Sequence, residues 1–464
     1  MTKKNVVFII IMGILFPLFT FVPMVNAVES PNDFHVEANA ALSVDTKTGK
    51  IFYDQNAETP LGIASITKLI SLYIVEKEIA QGNLTWEEEV SISENVATIS
   101  VDPELSNVPL ETSGTYTVKE LFDSALIQSA NASTMALAEK IAGNEQNFVD
   151  KMRAQLEEFG ITDAKIVNSS GLNNSFLGEN RYPGTSAEDE NLMSAKDVAI
   201  VARHLIQDFP DILKVSATTS QLFGENSNSP VEMTNWNWLL PGMANEKEGV
   251  DGLKTGTTDL AGACFVGTMV KEEQRIITVV LNATNHEQDH AARFKETARL
   301  MDYSYDNWKE EVVLKENQLL PDLSTISVSD GEEKTLPVSI DTDIKLWLRS
   351  DMTKDDVQYT IEPSGNKWQN DSLKAPLETN EKIATFQASV PKDTLGYLEG
   401  SDVNLTVFGS LQVDKGTRKD NLWRHSVRIV KSWWTKLSEK TRSIVNVSFF
   451  IIFLLGNKVQ LLHF

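Results

Sequence analysis

A chain of 464 residues, 41% hydrophobic and 23% charged, is too long for one compact core, so two or three folded units are expected. Its formal charge of −23 argues against nucleic acid as a partner, because binding a phosphate backbone needs the opposite sign. The single cysteine, Cys264, allows no internal disulfide; in "AGACFVGTMV" it reads as a packed thiol, and stability must come from apolar cores.

Lys3 and Lys4 precede the apolar run "VVFIIIMGILFPLF", and "VNA" places small residues before a cut after Ala27. That is the layout of a secretory signal peptide over residues 1–27, with a retained anchor helix as the alternative. The mature chain is expected outside the cytoplasm. From Ala41 to Asp54, "ALSVDTKTGKIFYD" predicts a hairpin turning at Gly49. An apolar helix from Ile63 to Gly82 follows. Thr117 and Glu120 in "TVKE" form a capping box for a helix with an apolar stripe at Val118, Leu121, Phe122, Ala125 and Leu126. After a break at "QSAN" comes a helix through "ASTMALAEKIAG". The polar, glycine-rich interval from Gly171 to Asn191 reads as loop.

Two strands, Ala263 to Val270 and Arg275 to Leu281, are joined by the turn "KEEQ", and a helix from about Glu287 to Met301, N-capped by Asn285, is expected to pack on them. Strand, helices, then strands and a last helix predict an α/β sandwich over 34–307 whose sheet is completed by both ends of the unit. Beyond Trp308, segments such as "IKLWL", "IATFQASV" and "VNLTVF" alternate apolar and polar residues and predict a small β-rich domain over 308–415.

From Gly416 the balance flips to nine Lys/Arg against Asp420 and Glu439. On a helical wheel Trp423, Val427, Val430, Trp434, Leu437 and Ile444 share one face, and Arg424, Arg428, Lys431 and Arg442 the opposite one. A basic amphipathic helix with tryptophans suits a membrane surface, so 416–464 reads as an anchor. The run "IVNVSFFIIFLL" has twelve residues, short of the ~18 of a spanning helix. A segment lying on the membrane is favoured over a tilted, interrupted span.

The helix from Ile63 carries Ser65 and Lys68, three residues apart and on one face. A serine hydroxyl is a poor nucleophile until a base takes its proton, and lysine serves as that base only when burial or nearby positive charge lowers its pKa. The Ser65 N–H at the helix start is a candidate oxyanion donor. S-x-x-K alone is a weak signal; a capped helix with an exposed lysine explains it equally well. "SAN", Ser129 to Asn131, sits in the break between two helices, where hydroxyl and amide can face a cleft, although Asn131 could merely cap the next helix. "KTGTT", Lys254 to Thr258, is expected on a strand edge, with Gly256 letting a substrate backbone approach and Lys254, Thr255 and Thr257 offering a cation and two hydroxyls to a carboxylate. The order S-x-x-K, S-x-N, K-T-G makes the set specific. The second K-T-G, Lys47 to Gly49, is the turn of the first hairpin.

On these motifs, and on "ALSVDTKTGKIFYDQNAETPLGIASITKL", "LFDSALIQSANASTMALAE", "NSSGL" and "DGLKTGTTDLAG", the chain resembles the serine D-alanyl-D-alanine carboxypeptidases, the low-molecular-mass penicillin-binding proteins. The resemblance covers about Ala38 to Tyr303. It implies a penicillin-binding/β-lactamase-like α/β sandwich, a small all-β domain and a C-terminal amphipathic membrane helix, with no cofactor and no metal. It further implies Ser65 as the acylated nucleophile, Lys68 as its base and Ser129 as proton relay. Asn131 would hold the peptide, and Lys254 with Thr255 the terminal carboxylate. The Gly256 strand would lie beside the substrate, and the N–H groups of Ser65 and Thr257 would hold the oxyanion. The implied partners are peptidoglycan stem peptides and β-lactams, and the implied place is the outer face of the bacterial cytoplasmic membrane. The chain departs from the family in having Ala130 where glycine is frequent. It also has "NATNHEQDHAAR" where a basic residue is frequent after the strand, and a long interval from Asn131 to Lys254.

Three other readings compete. A class A β-lactamase shares the motifs but places asparagine four residues after its deacylating glutamate, and no Glu between Asn131 and Lys254 has Asn at that spacing. A zinc peptidase would use "HEQDH", His286 to His290, if both histidines shared a helical face. A non-turnover penicillin-binding or scaffolding module would carry the same motifs.

Overall fold

The computed structural model describes residues 33–225, 230–320, 323–398, 407–420, 426–427 and 429–438. The signal-peptide reading and the run "IVNVSFFIIFLL" lie outside them.

The first hairpin forms where its pattern predicts, β1 Ala38–Asp45 and β2 Ile51–Gln55, with Gly49 at φ +74° in the turn. Far along the chain, β3 Val250–Thr258, β4 Gly262–Lys271 and β5 Gln274–Ala283 form a meander, and Glu272 and Glu273 turn between β4 and β5 with positive φ. All five strands join one antiparallel sheet in the order β2-β1-β5-β4-β3. The β1–β5 pair, with Ala38 opposite Ala283 and Asp45 opposite Ile276, stitches the two ends of the unit together.

Both sheet faces are covered, so the strands read as nearly continuous apolar runs. Leu42, Val44, Ile277, Val279 and Leu281 enter a large core built on α1 Lys68–Ala80, α2 Val118–Ile127, α3 Asn131–Ala142, α4 Glu145–Glu158 and α5 Ala195–Asp208. Ala41, Val280 and Ala283 face the other way, with Leu300 and Tyr303 of α6 Ala292–Asn307. Helix α2 begins at the expected capping box, Thr117 accepting from the Glu120 N–H and Glu120 from the Thr117 N–H. Helix α3 ends on Gly143 in the left-handed conformation.

Helix α6 departs from expectation. It starts at Ala292 rather than near Glu287, because Asn285 takes φ +59° and residues 284–291 run as turns. The interval 171–191 is also not plain loop: it contains the helical turns Asn174–Asn180, and Asn191 is fully buried.

A β-rich unit follows α6 directly. Trp308–Leu314 pairs with Ile344–Arg349, and a five-stranded sheet has the order Thr325–Ser327, Thr335–Ile340, Val407–Val413, Lys382–Ser389, Gln358–Pro363. It clasps the first hairpin. Trp308 stacks on Phe52 at 5.4 Å, while the buried Lys50 ammonium meets Asp393 at 2.8 Å and the Gly396 carbonyl at 2.9 Å.

Of the C-terminal segment, residues 426–427 and 429–438 are helical. Val427, Val430, Trp434 and Leu437 of the expected apolar face are exposed, and so are Ile429 and Trp433. Trp423 and Ile444 lie outside the described residues. Among the described residues no helix is long and apolar enough to cross a membrane.

Candidate active site

Ser65 sits in a single 3₁₀ turn, Ala64–Thr67, from which α1 continues at Lys68. Neither element has a side-chain cap at its start. The turn is held from outside instead: Asn191 Nδ2 donates to Thr67 Oγ1 at 2.9 Å, and the Ile63 N–H to the Asn191 carbonyl at 3.2 Å. Ala64 has φ +46° and Ser129 φ +61°, a left-handed conformation unfavourable for both residue types. Such backbone persists where surrounding contacts over-determine it, and here it marks the residue before one candidate serine and the other serine itself.

Lys68 is fully buried. Its Nζ lies 2.9 Å from Ser65 Oγ, 2.8 Å from Asn131 Oδ1 and 2.7 Å from the Ser170 carbonyl oxygen. The last two can only accept. A neutral amine has two N–H and one lone pair. With both N–H committed to those oxygens, the lone pair is turned toward Ser65 Oγ, whose O–H can donate into it. Burial, and next the charge of Lys254, hold the Lys68 pKa well below the ordinary lysine value.

The "SAN" break falls between α2, ending at Ile127, and α3, beginning at Asn131. Asn131 does not cap α3; it is the first helical residue, and the helix lacks a side-chain cap. Asn131 Nδ2 donates to the Ser106 carbonyl at 3.1 Å, which leaves Oδ1 for Lys68. Ser129 is buried at the same break.

Lys254, Thr255, Gly256 and Thr257 lie on β3, the edge strand of the sheet; the first three are buried and Thr257 is exposed. Lys254 is 2% exposed, donates to the Thr255 carbonyl at 3.1 Å, and is pushed down to about 7 by burial and then by the Arg293 charge. Among the described residues no carboxylate acts on Lys68 or Lys254.

Gly256 is a point of close approach within the protein itself. A Cβ there would lie 2.6 Å from the Ile63 carbonyl oxygen and 3.2 Å from Ala64 Cβ. Glycine here lets the turn carrying Ser65 approach the strand.

Several residues at the site carry no motif. The Ser170 oxygen is a backbone atom, and only its place in "NSSGL" hints at it. The segment "NATNHEQDHAAR" ends in Arg293, on the first turn of α6, whose Nη1 donates to the Gly256 and Cys264 carbonyls at 2.8 and 3.1 Å. Cys264 itself is fully buried, and burial pushes its thiol up to about 11, as suits a packed residue. The zinc-peptidase geometry is not formed: His286 and His290 precede α6, and His286 Nδ1 lies 2.8 Å from the Ala283 carbonyl oxygen.

Residues 24–285, more than half of the chain, match the Peptidase_S11 family, described as D-alanyl-D-alanine carboxypeptidase. The chain is 26% identical over 386 residues to D-alanyl-D-alanine carboxypeptidase DacF of Bacillus subtilis, covering 82% of this chain and 90% of that protein. The crystal structure of PBP3, a peptidoglycan synthesis regulatory factor of Streptococcus pneumoniae, is similar at 39% identity and a TM-score of 0.67, covering 82% of this chain and 100% of that one. Penicillin-binding protein 5 of Haemophilus influenzae, at 24% identity and a TM-score of 0.59 over 83% of this chain and 99% of that one, shares the fold. The chain belongs to the D-alanyl-D-alanine carboxypeptidase family, Peptidase_S11.

Proposed function

We propose that the protein is a serine-type carboxypeptidase that removes the terminal D-alanine of peptidoglycan stem pentapeptides through a Ser65 acyl-enzyme. The observation that carries this reading is the Lys68 amine, buried, short of its usual proton affinity, and committed by two acceptors to face Ser65 Oγ at 2.9 Å. The substrate lies along β3 with its terminal carboxylate held by Lys254 and Thr255. Ser65 Oγ attacks the carbonyl of the penultimate D-alanine as its proton passes to Lys68. The N–H groups of Ser65 and Thr257 hold the tetrahedral oxyanion, Asn131 holds the peptide, and Gly256 keeps β3 against the nucleophile turn. The proton moves through Ser129 to the amine of the departing D-alanine as the C–N bond breaks. Water then hydrolyses the ester and frees Ser65. A β-lactam enters the same cycle and stays on Ser65.

The catalytic unit is read as 34–307 and the β-rich unit as 308–415, which lifts the cleft toward the wall. Export is supported by family membership and the N-terminal pattern. Attachment of residues 416–464 to the outer face of the membrane is supported by the exposed apolar side chains of the helical residues 427, 429, 430, 433, 434 and 437 and by the basic composition of the segment.

Purified full-length protein should release D-alanine from a peptide ending in Lys-D-Ala-D-Ala, and penicillin should abolish release while adding one penicilloyl group on the peptide containing Ser65. Labelling without D-alanine release would make the protein a binding module. Rapid penicillin turnover would make it a β-lactamase.

The pH profile follows from the two amines. Lys68 must be neutral to act as base, so kcat/KM falls on the acid side as it gains a proton. Lys254 must be charged to hold a carboxylate, so kcat/KM also falls as pH rises through its value of about 7 in the free protein. Lys254→Arg, which cannot lose its charge, should remove the alkaline limb while leaving the acid limb in place. An alkaline limb unchanged in that variant would take Lys254 out of the role.

A further inference from the structure

Glu145 opens α4, is 4% exposed, and no cationic group acts on it among the described residues. An isolated buried carboxylate is costly unless strong donors compensate it. Its two donors come from one residue of the "NSSGL" stretch. The Ser169 N–H reaches Oε1 at 2.6 Å and the Ser169 hydroxyl reaches Oε2 at 2.9 Å, a fork that fixes Ser169 in both position and rotation. The Ser169 carbonyl in turn accepts from Ser71 Oγ at 2.6 Å, one turn beyond Lys68 on α1. The next carbonyl, that of Ser170, accepts from Lys68 Nζ at 2.7 Å. Beyond it the Gly171 N–H donates to Asn168 Oδ1 at 2.6 Å.

Ser169 is therefore held at its N–H, hydroxyl and carbonyl, the Ser170 carbonyl meets Lys68, and the Gly171 N–H is held by Asn168. The Ser170 oxygen belongs to the Ser170–Gly171 peptide, next after Ser169, so a shift of Ser169 that rotated that peptide would withdraw the oxygen and free one Lys68 N–H, leaving the amine lone pair without a fixed direction. Packing alone does not require a carboxylate here; a glutamine would fill the same space and offer one acceptor and one donor to the same two Ser169 groups.

We propose that Glu145 is a positioning residue: it clamps Ser169 so that the Ser170 carbonyl occupies one Lys68 N–H and the amine lone pair stays on Ser65. This rests on Ser65 and Lys68 being nucleophile and base.

The test uses the full-length protein and a fluorescent penicillin, with the acylation rate constant expressed per titratable Ser65. A purely structural defect lowers the titratable amount but not the rate of the sites that remain. Glu145→Ala should slow acylation per site by about 10-fold or more, the scale of a small misplacement of a catalytic group. The KM for a D-Ala-D-Ala peptide should stay within about 2-fold, because no carboxylate-binding group is touched. Glu145→Gln, which keeps an acceptor for the Ser169 N–H, should restore the rate to within about 3-fold of wild type. Glu145→Ala acylating at the wild-type rate per site overturns the proposal, as does Glu145→Gln being as slow as Glu145→Ala. Should Glu145→Ala yield no folded protein, Ser71→Ala removes the other tether on Ser169 and should slow acylation by about 3-fold or more; an unchanged rate there overturns the proposal equally. Wild-type protein that takes no label on Ser65 would instead overturn the nucleophile assignment.

Discussion

Lys68→Met should slow acylation of Ser65 by more than about 10³-fold, with D-alanine release falling in step, the scale expected for loss of a positioned general base. An ordinary lysine is neutral in only about 1 molecule in 2,500 at pH 7, which is too little to serve as a base. Burial and the Lys254 charge remove that handicap here, and the two acceptors aim the resulting lone pair. Methionine fills the space without a proton acceptor of useful basicity. Lys68→Arg should fail as completely, because arginine keeps its charge and its donors cannot become an acceptor. Ser65→Ala should reduce both reactions to background, and the Ser65→Ala, Lys68→Met double variant should be no slower than Ser65→Ala alone, since the two act as one unit. Stopped-flow acylation by penicillin reads all four proteins. A Lys68→Met protein retaining a tenth of the wild-type rate would remove Lys68 from the mechanism.

Gly171→Ala should damage both stability and activity, although the residue carries no chemistry. Its φ is +80°, and a Cβ there would lie 1.9 Å from the Ala64 carbonyl oxygen and 2.7 Å from Thr67 Oγ1. Those residues bracket the candidate nucleophile, while Gly171 itself follows the Ser170 carbonyl that holds Lys68. Overpacking and the left-handed conformation together should cost about 2–4 kcal/mol of stability. The strain is relieved only by moving the Ser65 turn or the Ser170 oxygen, so acylation should fall by about 100-fold. Gly143 is the matched control: its φ is +81°, but nothing lies within 4 Å of its would-be Cβ. Gly143→Ala should cost about 1 kcal/mol and leave acylation unchanged. Thermal melts and acylation rates of the two variants measured side by side decide the matter. If Gly171→Ala melts and reacts like Gly143→Ala, the packing of "NSSGL" against the nucleophile turn has no functional weight.

The three motifs were legible because each joins chemically distinctive side chains over a few residues, and their order along the chain is itself information. The hairpin at Gly49, the box at Thr117 and Glu120, and the turn "KEEQ" were legible for the same reason, since their causes are local. Legibility failed where the cause was distant. Asn285 has the composition of an N-cap, yet α6 starts at Ala292. Nor does the segment around Gly256 show that the Ser65 turn packs against it.

By itself the sequence determined the chemistry on offer: a hydroxyl beside an amine, a second hydroxyl with an amide, and a cation on a glycine-containing strand. Periodicity and composition also change at Trp308 and again at Gly416, which is the basis of the expected order of units. Only the tertiary structure decided what state those groups are in. The Lys68 amine meets Asn131 and Ser170, 63 and 102 residues away, and is perturbed by Lys254. One of its acceptors is a backbone carbonyl, an atom every residue possesses and no motif records. Burial and lone-pair direction belong to the assembled pocket rather than to any segment, so the same lysine in an unpacked chain would remain an ordinary surface cation.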